Sequence, residues 1–211
     1  MKRGLELQNL STNIGLSYAE RIDKLPDYII DCDFLLFTSF HVDRKKVLPT
    51  CFKNILTGKL GRFEIFLSDF KSDYSVDNKA FGYKQTIAIL RSSDFSFRRF
   101  CLIPKKAERF TVRIEHIGQD FGMPIIKGYK NIPFSISPQL NSKYTLKAQG
   151  IHDSQELFRM SFMQYLEDNS KWFIEGSSDA LLIYRRGKRI NPSGMREYIK
   201  EVVEIGKIIA V

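Results

Sequence analysis

The chain has 211 residues, 43% of them hydrophobic and including 17 Phe and 9 Tyr, which is enough to bury a real core and excludes a disordered chain. Lys and Arg number 33 against 24 Asp and Glu, a net charge of +9 that favours an anionic partner such as nucleic acid or an acidic membrane surface. Three scattered cysteines, Cys32, Cys51 and Cys101, lack a C-x-x-C pair and fit a reducing compartment in which each thiol is apolar filler.

The first residues, "MKRGLELQNLS", carry no apolar h-region and do not read as a secretory signal. No stretch approaches the roughly 20 apolar residues needed to cross a bilayer as a helix. Residues 3 to 13 predict a short helix, with Leu7, Leu10 and Ile14 at helical spacing and Gly15 as its stop. "LSYAERI" alternates Leu16, Tyr18 and Ile22 in a strand-like way, with a helix as the alternative. "YIIDCDFLLFTSF" is apolar and aromatic but has no decisive period.

The middle of the chain reads as strands. "FKNILTG" and "GRFEIFLSDF" flank Gly58-Lys59-Leu60-Gly61, a predicted hairpin turn. In the second run Phe63, Ile65 and Leu67 face one way, and Phe66 and Phe70 face the other with Glu64 and Ser68. "SDYSVDNKAFG" reads as a polar loop. "YKQTIAIL" follows as a strand, with Ile87 and Ile89 alternating against Thr86, Ala88 and Leu90, and "FRRFCLIP" as another that ends at Pro104, since proline cannot donate to a ladder. Four strands joined by short turns predict an antiparallel meander.

Toward the end, "YTLKA" is a strand. Asp153 with Glu156 approximates a capping box before a helix whose stripe is Phe158, Phe162, Tyr165 and Leu166. "KWFIEGSSDALLIYRR" supplies two strands around Gly176-Ser177-Ser178-Asp179. Asn191 is a predicted cap, with Pro192 at the first helical position. The stripe Met195, Tyr198, Ile199, Val202, Ile205, Ile208 and Ile209 must pack on a partner, because burying each such side chain contributes about 1.5–3 kcal/mol. The elements predict one α+β domain over residues 1–211, a mainly antiparallel sheet of about six to eight strands covered by two or three helices.

Candidate sites are few. "YRRGKRINP" joins a strand to a helix and places Arg185, Arg186, Lys188 and Arg189 before that helix's N-terminus. Four cations there oppose the helix dipole, yet would strengthen an anion site if a phosphate or headgroup sat among them; the plainer reading is a solvated turn. A weaker candidate is residues 95 to 110, where Arg98, Arg99, Lys105, Lys106 and Arg109 interleave with Phe95, Phe97, Phe100 and Phe110 in the manner of a single-strand binder. The histidines His41, His116 and His152 have no partner at metal-ligand spacing. Asp69, Asp73 and Asp77 do not fit a calcium loop, which needs acidic ligands two apart and a central glycine. Ser177 and Ser178 beside Asp179 lack a nucleophile elbow. No catalytic, cofactor or metal residues are assigned, and no cofactor is expected.

The ordered segments "NILTGKLGRFEIFLSDF", "QTIAIL", "FRRFCLIPKK", "QDFGMPIIKGYKNIPFSISPQLNSKYTLKAQGIHDSQELF" and "WFIEGSSDALLIYRRGKRINP" resemble a bacterial domain family without an assigned activity. The resemblance runs through Asn54 and Gly58, Gln85 and Thr86, Phe100, Leu102 and Pro104, then Asp120, Phe134, Ser135, Tyr144 and Leu146. It implies a shared fold, and it implies membrane helices ahead of the domain in relatives, from which this chain departs. The leading expectation is therefore a non-catalytic interaction domain, cytoplasmic and peripheral at the inner membrane of a bacterium, meeting a protein partner or the anionic membrane surface. The alternatives are a nucleic-acid binder using residues 95 to 110 and 185 to 189, and a small-molecule sensor or hydrolase without a recognised motif.

Overall fold

A computed structural model describes residues 2–32, 34, 49–76, 79–106, 129–134, 137–149, 159–169 and 171–210, with backbone alone at 72–83. The elements are α1 (Lys2–Ile14), β1 (Ser17–Ala19), α2 (Asp27–Asp31), β2 (Phe52–Leu60), β3 (Phe63–Val76), β4 (Lys79–Arg91), β5 (Phe97–Pro104), β6 (Lys130–Ile132), α3 (Pro138–Lys143), β7 (Tyr144–Ala148), α4 (Met160–Asp168), β8 (Phe173–Ser178), β9 (Ala180–Tyr184) and α5 (Pro192–Ile209). Among the described residues, nine strands form one antiparallel sheet in the order β1-β2-β3-β4-β9-β8-β5-β7-β6. The α+β expectation holds, with β6 the strand that the sequence did not announce.

Alternation along the strands sorts side chains to two faces, each with its own core. On one face Phe63, Ile65 and Leu67 of β3 join Ala88 and Leu90 of β4 and Ile183 of β9. Leu7 of α1, Leu140 of α3, Phe162 and Leu166 of α4, and the α5 stripe cover them. On the other face Phe66, Phe70, Ile87, Ile89, Cys101 and Leu182 pack under Leu25, Ile29, Cys32 and Phe34. The phases read for β3 and β4 are those observed, and every α5 stripe residue is buried except Ile208, which is partly so.

Several boundaries differ from the sequence reading. The first hairpin turns at Gly61-Arg62, so β2 runs on through Gly58 and Lys59 to Leu60. Residues 72–76 and 79–82 of "SDYSVDNKAFG" are strand, not polar loop: β3 and β4 pair in continuous register from Glu64↔Arg91 to Val76↔Lys79. A ladder bond is indifferent to side-chain polarity, so a two-strand ribbon can extend past the core. The second hairpin turns at Ser178-Asp179, leaving Gly176 and Ser177 inside β8. Asn191 occupies the N-cap position of α5 with extended backbone, yet its side chain makes no cap bond; Pro192 does stand in the first turn. Helix α4 begins at Met160. The Asp153–Glu156 capping box, Phe158, Arg109, Phe110, Asp120, Ser135 and all three histidines lie outside the described residues.

The meander is only half right. Strands β2, β3 and β4 are consecutive neighbours, but β4 then pairs with β9, and β5 lies beyond the β8–β9 hairpin. The inserted strand "ALLIY" is buried at every position. A strand apolar at both parities belongs where both sheet faces are covered. The 92–96 connection passes the tip of that hairpin. Ser92 N donates to Asp179 O at 3.1 Å, and Phe97 then pairs with Ser178 across from β8. Arg91 seals the crossing, its Nε donating to Asp179 Oδ2 at 2.6 Å.

Gly176 of β8 leaves room for a ring of β5: a Cβ there would stand 2.1 Å from Cε1 of the buried Phe100 ring. Gly176→Ala is expected to lower unfolding stability by about 1–3 kcal/mol through overpacking. Gly194→Ala in α5, whose Cβ would meet nothing nearer than 3.7 Å, should instead gain about 0.5 kcal/mol. Urea titrations of both variants check the pair, and equal midpoints would disprove the tight β5–β8 contact.

Candidate functional site

The basic run leaves β9 at Tyr184, turns at Gly187 with φ of 66°, and re-enters order at Pro192 of α5. A left-handed φ suits glycine, which has no Cβ to clash. The run continues beside β4 after β9 has ended. Gly187 N donates to Gln85 Oε1 at 2.9 Å, Thr86 N donates to Lys188 O at 3.0 Å, and Ile190 N donates to Thr86 Oγ1 at 2.9 Å. The turn is therefore stitched to the sheet, not suspended in solvent.

Its four cations have different fates. Arg185 lies over Trp172, its guanidinium carbon 4.0 Å from the ring centroid and 6.0 Å from that of Tyr198. It is also paired with Glu201 of α5. Its Nε is buried without a hydrogen-bond partner, as is the indole Nε1 of Trp172. Arg189 reaches back across the sheet to Asp69 of β3, donating from Nε at 3.1 Å and from Nη2 at 2.7 Å, both to Oδ2. Arg186 is half-buried and Lys188 is exposed.

Asp69 is the centre of the arrangement. It sits in phase with Phe63, Ile65 and Leu67, on the face covered by α1 and α5, and is buried. Arg3 of α1 grips it in a fork, Nε to Oδ2 at 2.8 Å and Nη2 to Oδ1 at 2.6 Å. Asn54 Nδ2 donates to Oδ2 at 2.9 Å and Thr86 Oγ1 to Oδ1 at 3.3 Å. Tyr18 of β1 in turn donates to Asn54 Oδ1 at 2.9 Å. Asn54 adopts φ of 53°, a conformation Asn tolerates better than most residues, beside a register shift between Lys53 and Leu56. Burial alone would raise the Asp69 carboxyl. The hydrogen bonds from Arg3, Arg189 and Asn54, with Arg3's charge, outweigh it and hold the group below the usual carboxylate range. Tyr198 of α5 completes the frame by donating to the carbonyls of Thr86 and Ile183 at 3.3 and 3.1 Å.

The Asp69 carboxylate is thus saturated by donors from α1, β2, β4 and the basic run, and no acceptor of it is left for a ligand. Sequence reading weighed Asp69 only as a calcium ligand. The signal that would have found it is its parity: an acid on the buried side of a strand demands cationic partners. Asn54 and Thr86, noted for a family resemblance, belong to this network, and Gln85, noted with them, accepts from Gly187 N of the basic run instead.

The weaker candidate resolves differently. Phe95, Phe97 and Phe100 are buried and packed ring on ring, at centroid distances of 5.0 Å and 5.6 Å. Arg98, Lys105 and Lys106 stay exposed and Arg99 half-buried. On the opposite sheet face Glu175 is buried and accepts from Tyr184 Oη at 3.0 Å. Burial, then the negative charge of Glu175, pushes the Tyr184 phenol well above its ordinary value. Burial pushes the Cys32 thiol up to about 11. Cys32 and Cys101 are buried and Cys51 half-buried. Among the described residues no group of His, Cys, Asp and Glu could hold a metal ion, and no helix is long and apolar enough to cross a membrane.

No protein-family model and no curated protein matches the chain. A solved structure does resemble it: the crystal structure of the mycobacterial trehalose monomycolate transport factor A, TtfA. The TM-score is 0.63 over 97% of this chain and 93% of that one, at 10% sequence identity. At that identity the likeness is one of fold.

Three outcomes test the site. Asp69→Ala leaves Arg3 and Arg189 without their shared anion and should cost about 2–4 kcal/mol, tempered because the Arg189 side chain keeps 43% exposure and can rehydrate. The depressed carboxyl contributes stability above the ordinary carboxylate range, and that contribution is lost as pH falls through it toward the folded value. Unfolding midpoints followed down in pH should therefore decline less steeply in Asp69→Asn than in the wild type; identical slopes would refute the assignment. Separately, Arg185→Lys removes the planar stack and should cost about 1 kcal/mol while altering the emission of Trp172, the single tryptophan. An unchanged spectrum and midpoint would show the stack to be idle.

Proposed function

We propose that this chain is a non-catalytic docking domain that works peripherally at the inner face of a bacterial membrane, as an accessory to a transport process. The observation that carries the reading is the likeness of fold, over 97% of the chain, to a protein known as a transport factor. Two further features support it. The net charge of +9 suits an anionic surface. The convergent polar groups at Asp69 are consumed in bracing the fold, which suits a rigid platform better than a reaction centre.

The nucleic-acid reading has less support. In the described part of residues 95 to 110 the rings of Phe95, Phe97 and Phe100 are spent on the core, so its cations lack the aromatic platform on which bases would stack.

The test is co-sedimentation of the wild-type chain with vesicles of anionic or neutral lipid. The domain should partition onto anionic vesicles at low salt and much less near physiological ionic strength, where the screening length is about 8 Å. Absence of binding to anionic vesicles at low salt would remove the membrane part of the reading.

A further inference from the structure

The register of the sheet gathers cations that lie far apart in sequence. On the face that carries Asp69, Lys53 of β2 stands opposite Asp69 itself, and one step along β3 and β4 Lys71 stands opposite Lys84. Alternation keeps Asp69, Lys71, Lys84 and Thr86 on one face. Lys188 lies alongside β4, tied there by the Thr86 N to Lys188 O bond. Arg3 anchors the start of α1 to the same carboxylate, which brings Lys2 to this end. Lys2, Lys53, Lys71, Lys84 and Lys188 are all exposed. By register Asp73 follows Lys71 on the same face of β3, and among the described side chains the neighbouring acids are Asp69, already claimed by Arg3 and Arg189, with Glu20 beyond β1 and Glu6 one turn along α1.

We propose that this end of the sheet, and not the Arg185–Arg189 turn by itself, is the surface that meets an anionic lipid bilayer. The inference rests on the membrane reading above and names its contact face. Two of the turn's four cations, Arg185 and Arg189, are paired internally with Glu201 and Asp69, so the turn alone offers a weak field. Lys2, Lys53, Lys84 and Lys188 around it restore a broad one. A bilayer fits better than nucleic acid because of what stands beside the charge. Leu5, one turn beyond Lys2 on α1, is 61% exposed and can enter the interfacial region. The large apolar side chains exposed among the described residues are Leu5 and Met160; neither is an aromatic ring on which a base could stack.

The test compares two triple variants of equal charge. Lys53→Ser with Lys84→Ser and Lys188→Ser empties the patch. Lys59→Ser with Lys106→Ser and Lys200→Ser removes as many exposed lysines elsewhere, Lys59 being about 20 Å along β2 from Lys53. Circular dichroism and urea midpoints verify that both stay folded. Each cation lost near an anionic leaflet lowers partitioning about fivefold, so the patch variant should bind phosphatidylglycerol vesicles at low salt about a hundredfold more weakly. The control variant should stay within a few fold of wild type. Equal losses in the two variants would overturn the contact face while leaving the membrane reading in place. Failure of the wild type to bind the vesicles would remove that reading and the face together. Tighter binding of the wild type to duplex or single-stranded oligonucleotides than to vesicles, lost in the patch variant, would reassign the surface to nucleic acid and overturn the lipid proposal.

Discussion

One buried carboxylate organises this fold. Taking Asp69 out of water is costly, and a strand cannot offer it a counter-charge from within its own hydrogen-bond ladder. The donors must come from elsewhere, and each brings its element with it. Arg3 fixes the start of α1, and Asn54 fixes the irregular stretch of β2. Thr86 aligns β4, and Arg189 pins the connection into α5. Tyr198 then ties α5 to the carbonyls of Thr86 and Ile183. The apolar stripes decide that helices cover the sheet, and this polar knot decides where they stop sliding. Hydrophobic burial is non-directional, whereas a forked arginine on a carboxylate has a fixed geometry.

A second constraint works at the centre of the sheet. The β8–β9 hairpin is buried on both sides, so it cannot sit at an edge. It splits the chain's strands into β1 to β4 on one flank and β5, β7 and β6 on the other, with the 92–96 connection crossing its tip. Cores on both faces of one sheet, braced by ion pairs at the ends, give a stiff body. Stiffness of this kind suits a module that presents a surface. The distribution of charge agrees with it: inward-facing arginines are bound to acids or aromatic rings, and several lysines are left outward.

The basic run shows how a correct sequence observation can carry an incomplete meaning. Its position between a strand and a helix, its turn at Gly187 and its proline start were all legible, because local residue preferences set them. The use of its cations was not legible. Whether an arginine is solvated or paired depends on an acid or an indole brought to it by strand order, and Asp69 and Trp172 come from different parts of the chain. The same holds for Phe95, Phe97 and Phe100: alternation with cations fits a nucleic-acid platform and a core strand equally well until the other side of the sheet is known.

By itself the sequence determined the α+β class, the two faces of β3 and β4, the buried stripe of α5 and the existence, though not the turn positions, of the β2–β3 and β8–β9 hairpins, since periodicity and turn chemistry act over a few residues. Tertiary structure alone decided that β9, not β5, lies beside β4, that residues 72–76 and 79–82 continue a ribbon, and that lysines from β2, β3, β4 and the basic run share one surface. The physical reason is loop closure. Pairings between distant segments are chosen by competition over the whole chain for burial and counter-charge, and no local window contains both partners.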